Sequence, residues 1–346
     1  MKEKHMFAGV NSPQGFFSRF DRIMPDSAES RKIFIKGGPG MGKSTLMKKV
    51  AARAAEEGLE CEIFHCSSDP ASVDGVHIPA LRTAILDATA PHNCDPVYPC
   101  IGGELFDVSI HIQKDKMRSD PEEVTFQTKQ KKRAFAKGYH YLAAALPLLR
   151  QMDSEYLENT DVRGIYMAAE KLADRVFGSY FCDDATDMRK LFVSAITPEG
   201  FVNFADTVFG DTFCVAVKGS FGTSLFVRRF VEIARLRGFS PIVFYCPMRP
   251  DEKMEHVYIP ELRVSLTTYD FYTHAAAGET VEIDGYIDRA PGLGESFNYA
   301  GTLMQRAIDA FAEAKTAHGF LESIYVPAVD FEALEERGQR LIDSIF

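Results

Sequence analysis

The run Gly37-Gly38-Pro39-Gly40-Met41-Gly42-Lys43-Ser44 carries the most specific chemistry in this chain. Glycines at this spacing let backbone N–H groups turn inward around phosphate oxygens. A lysine directly after the last glycine reaches the outer phosphates, and the following hydroxyl suits a Mg²⁺ ion bound to them. Two acids have fitting positions. Asp87 ends the apolar run Ala84-Ile85-Leu86, where a carboxylate at a strand terminus meets a bound cation. Asp69 follows the run Ile63-Phe64-His65-Cys66 and would orient water or take a proton from a substrate hydroxyl. Simpler readings stand beside each: a glycine-rich turn with a surface lysine, an Asp capping a turn, and the turn string Ser67-Ser68-Asp69-Pro70.

The flanks supply what the loop needs. Lys32-Ile33-Phe34-Ile35-Lys36 is a short apolar, β-branched run suited to a buried parallel strand. From Thr45 to Glu57 the apolar residues recur at helical spacing, and Gly58 stands where a helix would stop. A helix starting here adds its partial positive charge to the anion site. The stretch resembles the Walker A loop of the P-loop NTPases. That resemblance implies phosphate binding by Lys43, a Mg²⁺ ligand in Ser44, an α-phosphate contact from Thr45, and a cradle made by Gly37, Gly38, Pro39, Gly40, Met41 and Gly42. It also makes Asp87 similar to a Walker B aspartate, which holds Mg²⁺, often through water.

The chain is written twice. Phe7-Ala8-Gly9-Val10-Asn11-Ser12-Pro13-Gln14-Gly15-Phe16 matches Phe192-Val193-Ser194-Ala195-Ile196-Thr197-Pro198-Glu199-Gly200-Phe201 at Phe, Pro, Gly and Phe. Ile33–Gly37 then answers Val215–Gly219, Ile63–Cys66 answers Val243–Cys246, and Ile78–Arg82 answers Ile259–Arg263. Several matches in one order imply a tandem duplication, with one domain over 1–185 and a second over 186–346. The expected fold is α/β: two P-loop-like parallel-sheet halves, each with an appended helical pair. Those pairs are Lys129–Met152 with Val162–Phe177, and Ser296–Phe320 with Phe331–Phe346. The Asp95–Pro121 region is expected to be irregular.

The second copy has lost the chemistry. Its loop, Gly219-Ser220-Phe221-Gly222-Thr223-Ser224, is about two residues shorter and has no lysine after the last glycine. Thr268 stands where Asp87 does, and Arg249 where Asp69 does. The second half is therefore expected to be degenerate, with a bare backbone site for phosphate or sulfate as the most it retains. Arg82 and Arg263 occur in both halves, which suits a structural role. Arg249 or Arg228 would be the candidates for an arginine finger reaching the first site.

A net charge of -10 argues against non-specific nucleic-acid binding. The basic run Lys129-Gln130-Lys131-Lys132-Arg133 reads as a solvated helix face. The longest apolar stretch, Tyr141–Leu149, is about half of what a bilayer span needs. No apolar segment follows the N-terminus like a secretion signal. Seven cysteines without a C-x-x-C spacing fit reduced thiols and a cytoplasmic location. His92, Cys94 and Cys100 match no common zinc spacing. His65, His77 and His92 are candidates to line the same edge or to serve structure.

The strings His65–Pro70, Asp74–Pro79 and Asp87–His92 resemble an uncharacterised bacterial family of duplicated P-loop ATP-binding proteins. There both halves can carry a Walker A loop, from which this second half departs. The resemblance implies ATP and Mg²⁺ as ligands. The expected function is ATP hydrolysis in the first half beside a non-catalytic second half. The alternatives are a kinase for a small-molecule acceptor with Asp69 as base, and a nucleotide-operated module acting on a protein partner.

Overall fold

The computed structural model describes residues 3–27, 29–92, 94–97, 99–117, 121–182, 187–269, 276–289 and 294–346. The expected boundary near residue 185 falls outside them. In the first half β1 (Glu3–Met6) leads to a hairpin, β2 (Gly9–Ser12) and β3 (Gly15–Ser18). Then come β4 (Arg31–Lys36), α1 (Lys43–Glu56), β5 (Cys61–Cys66), β6 (Asp69–Ile78), β7 (Thr83–Asp87), β8 (Gly103–Asp107), α2 (Lys114–Met117), α3 (Pro121–Leu157) and α4 (Val162–Phe177). The second half repeats the plan with β9 (Arg189–Leu191), β10 (Ser194–Thr197), β11 (Gly200–Asn203), α5 (Ala205–Phe209) and β12 (Phe213–Lys218). It continues with α6 (Thr223–Leu236), β13 (Ile242–Cys246), β14 (Arg249–Ile259), β15 (Val264–Tyr269), β16 (Glu279–Glu282), α7 (Glu295–Tyr325) and α8 (Phe331–Ile345).

The two six-stranded sheets have one topology, β1-β5-β6-β7-β4-β8 and β9-β13-β14-β15-β12-β16. The protein is α/β with two similar halves, as the repeat implies. The sheets are mixed, however, where parallel ones were expected: β6 and β14 run antiparallel to both neighbours. The links explain this. Only Ser67 and Ser68 separate β5 from β6, and a short 3-10 turn at Pro79–Leu81 separates β6 from β7. A parallel return needs a crossover of about a dozen residues or more. Arg82 and Arg263 close these turns at φ 47° and 51°, which gives both arginines a structural place. The region expected to be irregular holds an edge strand, β8, parallel to β4.

Strand alternation sorts the core into layers. Ile33, Ile35, Ile63 and Ile85 face α1, whereas Phe34, Phe64, Ala84 and Leu86 turn to the opposite side. There they meet Cys214, Phe244 and Tyr258 of the second sheet, so the sheets share one interior. At its edge Phe7 and Phe192, equivalent in the repeat, bridge antiparallel: each N–H donates to the other's carbonyl, at 2.8 and 3.1 Å. Equivalent residues paired antiparallel define a local two-fold axis.

The helical pairs form, but they do not each serve their own half. Ile165, Ala169, Leu172 and Phe177 of α4 lie in the core of the second sheet with α6. Leu334, Leu341 and Ile342 of α8 lie in the core of the first sheet with α1. Ion pairs reinforce the exchange, Arg229 of α6 with Glu170 of α4 and Lys49 of α1 with Glu335 of α8. The long helices α3 and α7 pack on each other around Leu142, Ala145, Met304 and Phe311. Asp161 and Asp330 cap α4 and α8 by accepting from the N–H of Gly164 and Ala333. No helix among the described residues is long and apolar enough to cross a membrane.

Candidate functional site

The glycine loop lies between β4 and α1, with β7 beside β4. Gly40 and Gly42 sit at φ 64° and 76°, a region open to glycine at little cost. Gly42 caps α1 without a side-chain hydrogen bond, and no acid stands in the first turn. The helix therefore presents its amide end without an internal counter-ion, the arrangement of an anion site.

Lys43 is held by the loop itself. Its Nζ donates to the carbonyls of Gly38 at 2.8 Å and Gly37 at 3.0 Å, and lies 3.7 Å from Asp87 Oδ2. Asp87 Oδ1 accepts from the N–H of Thr89, whose hydroxyl donates to Gly37 O. Lysine, loop and strand-end acid thus come together as the spacing implies. Ser44 is also at hand: its Oγ accepts from Val73 N–H at 3.0 Å and keeps a second lone pair. Met41 is buried, and its sulfur accepts from Gly38 N–H. Pro39 is half-buried in the loop, and Thr45 is exposed.

The sequence did not single out Asp74 for chemistry. It lies on β6, one residue before Gly75, which pairs with Leu86. Ligating atoms of Asp74, Asp87 and His92 lie within 4.8 Å of one another. Burial pushes the Asp74 carboxyl up, His92 opposes this, the Asp87 charge adds to it, and the net shift is upward. Two acids held together against desolvation are what a cation relieves. The two carboxylates are hard oxygen donors and fit Mg²⁺; His92 adds a nitrogen that Mn²⁺ also accepts. The signal for Asp74 was available, since the strings carrying the family resemblance include both Asp74 and His92.

Other candidates go elsewhere. Asp69 opens β6 and pairs with Lys315 of α7 at 2.8 Å, while accepting from Ser72 Oγ. Burial raises its carboxyl, but the hydrogen bonds from Lys315 and Ser72 outweigh this and hold it below the usual range. It ties β6 to the long helix α7 of the second half. His65 bonds His5 and the Pro70 carbonyl, and burial lowers its pKa to about 4. His77 bonds Glu62. His92 packs on Phe20, Cys94 bonds the Asp87 carbonyl and Cys100 is exposed; among the described residues neither cysteine joins the ligating cluster.

The second loop carries its own stand-in anion. Ser220 N–H donates to Asp284 Oδ1 at 2.6 Å, so a carboxylate takes a backbone donor that would meet phosphate. Thr223 follows Gly222 where Lys43 follows Gly42, and the buried Thr268 hydroxyl has no partner among the described residues. Arg249 pairs with Asp153 of α3, and Arg228 donates to the Glu252 carbonyl. Both finger candidates are engaged on this side.

Each loop is covered by the helical elbow of the other half. A Cβ on Gly40 would stand 2.7 Å from Val326 and 3.3 Å from Glu322, and one on Gly42 would stand 3.2 Å from Leu334. A Cβ on Gly222 would stand 2.5 Å from Ile165, and Phe221 stacks on Tyr156. The chain matches no family model, no curated protein and no solved structure.

Proposed function

We propose that the first half binds Mg²⁺–ATP on the Gly37–Thr45 loop and hydrolyses it, with the second half as a non-catalytic partner. One observation carries this reading: Lys43 lies 3.7 Å from Asp87 at the uncapped, acid-free start of α1. The two carbonyls and one acid around Lys43 are weaker partners than a triphosphate, so the ammonium transfers to phosphate when nucleotide arrives. The first-turn amides hold the same oxygens, and Lys43 stabilises charge growing on the γ-phosphate. Ser44 and Asp87, with Asp74 beside them, would hold Mg²⁺, which would supply positive charge against the outer phosphates. Buried acids near the reacting phosphate are also suited to orienting the attacking water.

Phosphate release from Mg²⁺–ATP without an added acceptor tests this. Steady release is expected from the wild type, falling roughly 100-fold or more in Lys43→Ala. Tight ATP binding with no release would sink hydrolysis. The second reading, a nucleotide-operated module, draws support from the α7–α8 elbow seated on the loop. Phosphate bound there shifts that contact and with it a surface available to a partner. Asp69, tied to Lys315, is poorly placed as the base of a kinase.

A further inference from the structure

The basic run of α3 has one member that does not face solvent. Lys131 is half-buried, and its Nζ lies 3.2 Å from Nδ1 of His318, one turn along α7 from Lys315. Among the described residues no carboxylate comes within ion-pair distance of it. Lys315, by contrast, is paired with Asp69 and Glu199. His318 Nε2 points to Glu322 Oε1 at 3.6 Å, and Glu322 backs onto Gly40 of the loop. With Nδ1 accepting from Lys131, Nε2–H faces Glu322, so the imidazole is neutral and its tautomer is fixed. Burial and the charges of Lys131 and Lys43 hold the His318 pKa at about 4. Burial lowers Lys131 as well, Cys66 and Glu322 oppose this, Lys43 adds to it, and the net shift is downward. Lys131 thus sits half-buried against an imidazole rather than a carboxylate, on a chain of contacts that leads through His318 and Glu322 to Gly40 of the loop. Such an arrangement costs free energy in the free protein and becomes favourable when a polyanion enters.

We infer that Lys131 is a second phosphate-binding cation of this site, positioned by His318 from the other half, and that it meets the terminal phosphate of a nucleoside triphosphate. The inference rests on the nucleotide reading of the loop and adds to it a means of telling triphosphate from diphosphate. Lys43 serves both nucleotides, whereas Lys131, on α3, is held by His318 of α7, whose elbow with α8 covers the loop, and it meets only the longer ligand. The Lys131–His318–Glu322 chain then links the γ-phosphate to α7.

Calorimetric titration of the full chain with Mg²⁺–ATP and with Mg²⁺–ADP tests this, using wild type, Lys43→Ala, Lys131→Met, Lys131→Arg and His318→Ala. Lys131→Met is expected to lose about tenfold or more in ATP affinity while ADP affinity changes by about twofold or less, the scale of one charge-assisted contact. His318→Ala should lose part of the ATP preference, and Lys131→Arg should keep most of it. An equal loss for both nucleotides, or no loss, would overturn the inference by making Lys131 a packing residue. If Lys131→Met does not fold, the ATP-to-ADP ratio in His318→Ala and Lys131→Arg decides alone. Loss of both nucleotides in Lys43→Ala, with an unchanged ratio in Lys131→Met and His318→Ala, leaves the loop reading standing and this inference fallen. Wild type binding neither nucleotide, or Lys43→Ala binding as wild type does, removes both.

Discussion

A chain ended after Val329, and so lacking α8, is expected to lose the first half's fold, although every strand of that sheet remains. Leu334, Leu341 and Ile342 are all buried against α1 and β4. Each buried side chain of this kind is worth ~1.5–3 kcal/mol, so the three together contribute roughly 5–9 kcal/mol. A whole domain of ordinary stability has only about 5–15 kcal/mol in hand. Hydrogen exchange is the direct check: amides of β4 and α1 should lose protection in the truncated chain. A milder variant, Leu334→Ala with Leu341→Ala, should cost about 2–5 kcal/mol per site in urea unfolding. Unchanged protection together with an unchanged urea midpoint would mean that α8 is an appendage.

Arg189→Met is expected to destabilise the joint between the halves by about 3–5 kcal/mol at neutral pH. The Arg189 guanidinium grips both oxygens of buried Glu62, at 2.8 and 2.9 Å, and donates to the carbonyls of Arg22 and Ile23. His77 Nδ1 lies 2.7 Å from Glu62 Oε2. Burial by itself would raise the Glu62 carboxyl, but Arg189 and His77 outweigh it and hold it far below the usual range. A carboxyl depressed by folding lends its stability above its unfolded pKa, about 4.3, and that stability is lost as pH falls below it. The gap between wild type and Arg189→Met should therefore be full at pH 7 and shrink in acid. Arg189→Met combined with Glu62→Leu should be milder than the single change, because no bare charge is left buried. Urea unfolding across pH would show both effects. A pH-independent difference, or a double variant worse than the single, would refute the ion-pair account.

The glycine loop, its strand and its helix were legible because one local string fixes all three. The duplication was legible because Phe7 and Phe192, or Ile78 and Ile259, keep their order. The antiparallel course of β6 was harder to read, since Pro70 and Gly75 weaken a strand signal; the brevity of the Ser67–Ser68 link held the answer. The exchange of α4 and α8 was not legible at all. The apolar stripe of α8 would fit α1 or α6, and nothing local in a stripe names its partner. Asp74 was missed for a related reason: its place beside Asp87 is a matter of register between β6 and β7. The same applies to Lys131, which sequence groups with a solvated run and packing turns inward.

The Phe7–Phe192 bridge has an implication for ancestry. A single repeat leaves its sheet without a closing helix, and a second copy turned about that axis would supply it. A forerunner built as a swapped dimer of one repeat would fit this symmetry, and its two loops would have been identical. Joining the copies end to end freed them from that identity. One loop could exchange its lysine for Thr223 and settle an aspartate onto its own amides, while the other kept Lys43. The asymmetry of the present protein is one that two identical subunits could not hold.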